Sequence, residues 1–335
     1  MSLDRIVPLS LVLLISPVAA IAQDAAVNPQ KIGDKTVARA ATAPPTENWS
    51  AFNDLKTGLH LAASVVVQHE ERHDFVREIV RVQWRISDPI DLWIVRPIAP
   101  GKVPAVLYLY SYSDVNDRFH DDGWCQRAVS EGFAAVGFVS ALTDYRFKNR
   151  PMKQWFVSEL PEALGSSVHD VQFILNYLTE RGDMDIERVG MFGMGSGATI
   201  AILAAHADSR IKSIDLLDPW GDWPNWLEFS PAVPDAERPK YITADFLKSV
   251  ASFDPVVYLP SLKTQSFRVQ QTLTEPVTPK IAKERIAAAV KDPTRVVQYA
   301  NAKDLFKAWQ TSGLSGWIKR QLLSERLKQV ASAAE

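Results

Sequence analysis

The stretch RVGMFGMGSGATIAILAA, residues 188–205, constrains the fold more than any other part of the chain. Val189 to Phe192 is a short apolar run, read as a buried strand. Gly193, Met194, Gly195, Ser196 and Gly197 follow as a glycine-dense turn, and a helix runs on from Ala198. A strand that stops in a sharp glycine turn and restarts as a helix holds a side chain on a strained corner at the edge of an α/β sheet. Turns of this kind that carry a nucleophile spell Gly-x-Ser-x-Gly. Here Gly193 and Gly197 fill the outer positions, Gly195 fills the centre, and Ser196 comes one place late.

The rest of the chain keeps the same rhythm. Ala105 to Tyr110 is a continuous apolar run, as expected of a parallel strand buried on both faces. Trp124 to Glu131 reads as a helix, Phe133 to Val139 as a strand, and Leu160 to Arg181 as a long helix with Val168, Val171, Ile174, Leu175 and Leu178 on its apolar face. Ile211 to Leu217 is a strand, Lys280 to Val290 a helix, Arg295 to Tyr299 a strand and Leu314 to Val330 a closing helix. Upstream, Phe75 to Trp84 and Asp91 to Val95 flank a turn at Ser87-Asp88-Pro89 and suggest an antiparallel pair. Leu55, Leu59, Ala62 and Val66 fall at helical spacing within Trp49 to Val67. The alternation predicts an α/β fold, a doubly wound and mostly parallel sheet with an antiparallel start.

Between Asp218 and Leu259 the alternation breaks into a segment dense in Pro and Trp, with Trp220, Trp223 and Trp226, then a helical piece from Thr243 to Ser252. An insertion after a strand's C-terminal end sits over the crevice where α/β proteins bind ligands. Residues 218–259 therefore read as a small cap on one domain spanning residues 48–335.

At the N-terminus, Arg5 precedes an apolar run from Ile6 to Ala22, and Ala20-Ile21-Ala22 precedes Gln23 as an A-x-A cleavage signal. Residues 1–22 are expected to be a secretory signal peptide, and the run is too short and too proline-interrupted (Pro8, Pro17) for a spanning helix, which needs about 20 apolar residues. Residues 23–47, rich in Ala, Pro and Thr without periodicity, read as a disordered leader. The mature chain is expected to be exported, periplasmic or extracellular, without stable membrane insertion. Cys125 is the single cysteine, so no intrachain disulfide can form. The net charge of −2, without a basic block, argues against nucleic acid as a partner. No cofactor is expected.

The segment DIERVGMFGMGSGAT resembles the DxxRVGxxGxSxGG pattern of the α/β-hydrolase superfamily, nearest its dienelactone hydrolase and prolyl-oligopeptidase-like branch. The resemblance covers roughly Phe75 to the C-terminus and implies an α/β-hydrolase fold. In that family a serine attacks an acyl carbon, a histidine takes its proton and an acid orients the histidine. The resemblance puts the nucleophile position on Gly195, which has no side chain. It puts the acid on Glu275, within Glu275-Pro276-Val277-Thr278-Pro279, and the histidine position on Asp304. A carboxylate is a poor base at working pH unless burial raises it. What survives is backbone: the amide of Ser196 and one from the loop at Ser111, Tyr112 and Ser113, an oxyanion-hole pair that favours an anion or a polarised carbonyl.

The residues leave three functional readings open. The first is a binding protein without conventional serine-hydrolase activity, holding a small-molecule or peptide ligand, anionic or carbonyl-containing, near Gly195, Tyr112, Trp220, Trp223 and His169. The second is an active ester or peptide hydrolase with Ser196 as nucleophile; the plainer role for Ser196 is a helix N-terminal serine. The third, distant one is a zinc peptidase through His69 and His73 of His69-Glu70-Glu71-Arg72-His73, an H-E-x-x-H match on what reads as a charged connector. No metal site is expected. Glu275 and Asp304 read as independent polar loop residues or as a carboxylate pair, Asp170 as solvent-facing, and His169 as a structural histidine or a replacement base. The three tryptophans read equally as ligand-stacking or as cap packing.

Overall fold

Residues 63–86, 88–111, 117–142, 146, 156–312 and 316–333 are described by the computed structural model of the chain. The strands are β1 (Val65–Glu71), β2 (Phe75–Arg85), β3 (Asp88–Pro97), β4 (Val103–Leu109), β5 (Ala134–Gly137), β6 (Met184–Met194), β7 (Ile211–Leu217), β8 (Ser266–Thr272) and β9 (Val296–Tyr299). Among the described residues they form a nine-stranded sheet in the order β1-β2-β3-β5-β4-β6-β7-β8-β9. The pairs β1–β2, β2–β3 and β3–β5 are antiparallel, and every pairing from β5 across to β9 is parallel. The helices are α1 (Asp122–Val129), α2 (Leu160–Arg181), α3 (Ser196–Ala207), α4 (Trp223–Phe229), α5 (Arg238–Tyr241), α6 (Ala244–Val250), α7 (Pro255–Tyr258), α8 (Lys280–Ala289), α9 (Ala302–Ser312) and α10 (Gly316–Ala333).

β4 explains why the sheet is covered on both faces. All of VPAVLYL is buried, and successive side chains go to opposite sides. Val103, Ala105, Leu107 and Leu109 join one core with α2 and α3, while Val106 and Tyr108 join a second with α1 and α10. α2 presents Val168, Val171, Ile174, Leu175 and Leu178 to the first core, all fully buried, each stabilising by about 1.5–3 kcal/mol relative to exposure. Gly182 ends α2 at φ 80, donating its N–H to Leu178 O. A left-handed glycine here satisfies an orphan carbonyl without a Cβ penalty.

Several local readings change. Val65 to Val67 open edge strand β1 rather than continue a helix, since a β-branched run fits a pleated edge better than a helical turn. Residues 49–62 lie outside the described residues, as do the signal-peptide and leader segments. β8 carries too many polar residues to stand out by hydropathy; Gln270 and Gln271 are fully buried and hydrogen-bonded to Asp215 and to the carbonyl of Lys283. Asp170 is fully buried, not solvent-facing. It accepts from Trp84 Nε1 at 2.7 Å and pairs with the buried Arg146, whose Nε and Nη2 reach Asp88 at 3.0 and 2.7 Å.

The span between β7 and β8 carries α4 to α7. α6 packs on α2, α7 on α3 and α8, and α4 on α8. Trp220, Trp223 and Trp226 join the α2–α3 core. Their rings meet at 4.9 Å (Trp220–Trp226) and, edge to face, at 5.6 Å (Trp223–Trp226).

Candidate functional site

β6 ends at Met194 and α3 starts at Ser196, so Gly195 makes the corner alone. It sits at φ 55, ψ −120, in the half of conformational space that glycine enters without the cost a Cβ imposes. Its N–H donates to Leu217 O at 2.8 Å, and its carbonyl accepts from Trp220 N at 3.3 Å and Ala198 N at 3.1 Å. These bonds tie the corner to the turn after β7. A Cβ on Gly197 would stand 2.1 Å from Leu109 O and 2.7 Å from Tyr110 O. Glycine at 197 thus lets the start of α3 press against the end of β4. That close approach brings Ser111 to the corner. A Cβ on Gly195 would lie 2.2 Å from Ser111 Oγ, 2.8 Å from Ser111 Cβ and 3.2 Å from Trp220 Nε1. The space a nucleophile would need at this corner is filled by the side chain of Ser111.

The other sequence-predicted residues fall in different settings. Ser196 is fully buried in the first turn of α3. Glu275 turns back on its own loop, accepting from Val277 N at 2.6 Å and Thr278 N at 3.0 Å, with Lys283 Nζ at 3.5 Å. Asp304 lies in the first turn of α9, its carboxylate accepting from Asn301 Nδ2 at 3.1 Å while Asn301 Oδ1 accepts from Asp304 N at 3.2 Å, a reciprocal helix cap. His169 is buried on α2, 2.9 Å from Gln172 Oε1 and edge-on to Trp84. Trp220, Trp223 and Trp226 are buried, and Thr199 Oγ1 donates to Trp220 O at 2.5 Å. Tyr112 lies outside the described residues.

One residue not weighed as a site residue in the sequence stands out. Asp218 is the first residue past β7, and the residue is 7% exposed. Its backbone holds φ 46, unusual for a residue with a Cβ, and its N–H donates to Gln270 O at 2.8 Å. Oδ1 accepts from Thr272 N at 2.6 Å. Burial pushes the carboxyl up to about 7; the Thr272 amide opposes that shift, Glu275 adds to it and Lys283 opposes it. The available sequence signal was its place: a carboxylate just past the C-terminal end of a parallel strand lies at the ligand-binding edge of an α/β sheet.

No protein-family model matches the chain. In sequence it is 24% identical over 188 residues to a Bradyrhizobium sp. protein named "Probable 2-oxo-3-(5-oxofuran-2-ylidene)propanoate lactonase", covering 53% of this chain and 71% of that one. In structure it superposes on an acetyl xylan esterase from Paenibacillus sp. R4 with a TM-score of 0.60 at 19% identity, covering 83% of this chain and 96% of the other. Acetyl xylan esterase 1 from Thermoanaerobacterium sp. superposes with a TM-score of 0.61 at 13% identity, covering 82% and 96%. The chain has the α/β-hydrolase fold.

Within this α/β-hydrolase-fold protein, His69 and His73 do not share a helical face. His69 is on β1, with Nδ1 2.9 Å from Glu78 Oε1, and His73 lies in the turn after it, paired with Asp74. The helix that H-E-x-x-H chemistry requires is absent there, since the segment is strand and turn. No described helix of the α/β-hydrolase-fold protein is long and apolar enough to cross a membrane.

Proposed function

We propose that this α/β-hydrolase-fold protein lacks conventional serine-hydrolase activity and holds a small-molecule or peptide ligand with an anionic or carbonyl group at the ends of β4, β6 and β7. The observation that carries the reading is the corner itself. Gly195 keeps the strained backbone of a nucleophile-bearing turn but offers no side chain, and Ser111 fills the space one would need. The burial of Ser196 and the inward turn of Glu275 onto its own loop support the same reading. Residues 218–259 serve in this proposal as the cap, with Trp220 as the tryptophan at the corner.

The test is covalent labelling of the purified full chain with a fluorophosphonate probe, which reports an activated serine. No label is expected. Labelling at Ser196 that Ser196→Ala abolishes would sink the proposal. We further propose, from the Arg5 to Ala22 pattern, that residues 1–22 are removed on export. N-terminal sequencing of protein from the periplasmic fraction should then begin at Gln23, and recovery of the intact N-terminus in the cytoplasm would refute it.

A further inference from the structure

The end of the sheet opposite the corner is independent of the reading above. The corner follows the C-terminal end of β6, whereas β4 and β6 start side by side at the other end, where Val103 N donates to Asp183 O at 3.2 Å. We propose that a cavity there, on the face of β1 to β3, binds a free α-amino acid with a small apolar side chain, its carboxylate on Arg96 and its ammonium on Glu71.

The strand register builds the cavity. Glu71 on β1 pairs with Val76 on β2, and Val76 pairs with Arg96 on β3. Residues opposite one another across paired strands share a face, so these three stand in one row. Neighbouring strands lie about 4.8 Å apart, which sets the Cα atoms of Glu71 and Arg96 roughly 10 Å apart with Val76 between them. The next row on that face is His69, Glu78 and Ile94, and α2 reaches it, because its last residue, Arg181, pairs with Glu78. Gly182 then ends the helix, and the outermost row is left open. Ile98, Ala99 and Pro100, just past β3, complete the walls. The cavity measures about 310 Å³, at the small end of the range of about 300–1,000 Å³ usual for ligand pockets.

Arg96 is weakly committed. Its Nε is enclosed, makes no hydrogen bond and lies 3.4 Å from Asp183 Oδ2. Asp183 is already taken by Arg181, whose Nε is 2.8 Å from Oδ1 and 2.9 Å from Oδ2. The other arginines of β2 and β3 all donate. Arg77 reaches Phe119 O at 3.1 Å and Asp122 at 2.9 Å, Arg81 makes two bonds to Asp91 at 2.7 and 3.0 Å, and Arg85 reaches Ser166 Oγ at 2.6 Å. Among the described residues, Arg96 is the arginine of these two strands whose guanidinium makes no hydrogen bond. A planar fork of donors of this kind matches a carboxylate through two parallel bonds. Glu71, its side chain 78% exposed, has His69 Nε2 at 3.5 Å as its ion-pair partner. No ion pair joins Glu71 to Arg96 among the described residues, although both line the cavity.

Two opposite charges with open space between them select a ligand that carries both. A simple carboxylate satisfies Arg96 but sets a second anion beside Glu71. A simple amine satisfies Glu71 but leaves the Arg96 fork empty and adds a second cation. An α-amino acid presents an anion and a cation from one carbon and answers both groups. Its side chain then meets Val76, Ile98, Ala99 and Pro100, whose side chains offer neither donor nor acceptor, and the small volume favours a side chain the size of valine's.

The experiment is isothermal titration calorimetry of the full chain with L-valine, with isovalerate, which lacks the ammonium, and with isobutylamine, which lacks the carboxylate. Valine should bind saturably and about 10-fold or more tightly than either analogue, because each analogue loses one hydrogen-bonded charge pair. Glu71→Gln should weaken valine about 10-fold and leave isovalerate no weaker than in wild type, so that the preference for valine disappears. Arg96→Gln should weaken valine and isovalerate alike, by about 10-fold or more. Circular dichroism checks that both variants fold, and the comparison of the three ligands on wild type needs no variant. Absence of saturable valine binding to wild type, equal affinities for valine and isovalerate, or unchanged valine binding by folded Arg96→Gln overturns the inference.

Discussion

Installing the missing side chain tests the geometry of the corner directly. Gly195→Ser places a Cβ 2.2 Å from Ser111 Oγ and 2.8 Å from Ser111 Cβ. It also places a non-glycine residue at φ 55. Strain at such a backbone position costs about 1–3 kcal/mol. Overpacking against Ser111 adds about 1–3 kcal/mol, because neither Gly195, pinned by its bonds to Leu217 and Trp220, nor the end of β4 can move far. The single variant should therefore lose about 2–6 kcal/mol. Ser111→Gly clears the space but leaves the backbone strain. In that background the cost of Gly195→Ser should fall by the overpacking part, about 1–3 kcal/mol, a coupling typical of residues in contact. The assay is urea unfolding of the four proteins of the double-mutant cycle, followed by circular dichroism. If Gly195→Ser costs nothing, or Ser111→Gly leaves its cost unchanged, Ser111 does not occupy the nucleophile's place and the steric reasoning fails.

Three further outcomes follow from the same structure. The Asp218 carboxyl stands at about 7 when folded and near ~3.9 when unfolded, so folding favours its protonated form. Its contribution is full below the unfolded value and is lost as pH rises through about 7, in total roughly 4 kcal/mol as an order of magnitude. Stability measured against pH should show wild type losing ground to Asp218→Asn between pH ~4 and ~8, and parallel curves would contradict the burial argument. Arg146→Met leaves Asp88 and Asp170 buried without this partner and should cost about 3–5 kcal/mol, much of it recovered when both aspartates also become asparagine. Burial pushes the Cys125 thiol up to about 11 and encloses it completely. Ellman's reagent should therefore react at an appreciable rate only after denaturant is added, and fast reaction of the folded chain would mean that the α1 region opens in solution.

Where a feature depends on spacing along the chain, it was legible without a fold. The Ile211 to Leu217 strand, the Leu160 to Arg181 helix and the corner centred on Gly195 all appear where hydropathy and glycine density put them. A buried strand or an amphipathic helix writes its own period into its residues, so each can be read from a short window. That the central position of the corner carries no side chain was equally plain, because residue 195 is glycine. Polar β8 was hidden from hydropathy because its buried glutamines find partners on other elements.

What occupies the corner, and what titrates beside it, belonged to the tertiary structure. Ser111 reaches Gly195 because Gly197 lets α3 close on the end of β4. Asp170 sat beside His169 with no local sign of burial, and Arg146, from a different segment, is what makes its burial tolerable. The three tryptophans could equally have faced ligand or core until the packing of α4 and α6 put them inside. Asp218 is the sharpest case. In sequence only its place just past the Ile211 to Leu217 strand marks it; with β7 set between β6 and β8, its carboxyl is buried with the Thr272 amide as its hydrogen-bond donor. Spacing encodes local order, whereas burial and charge depend on groups that meet only once the sheet has closed.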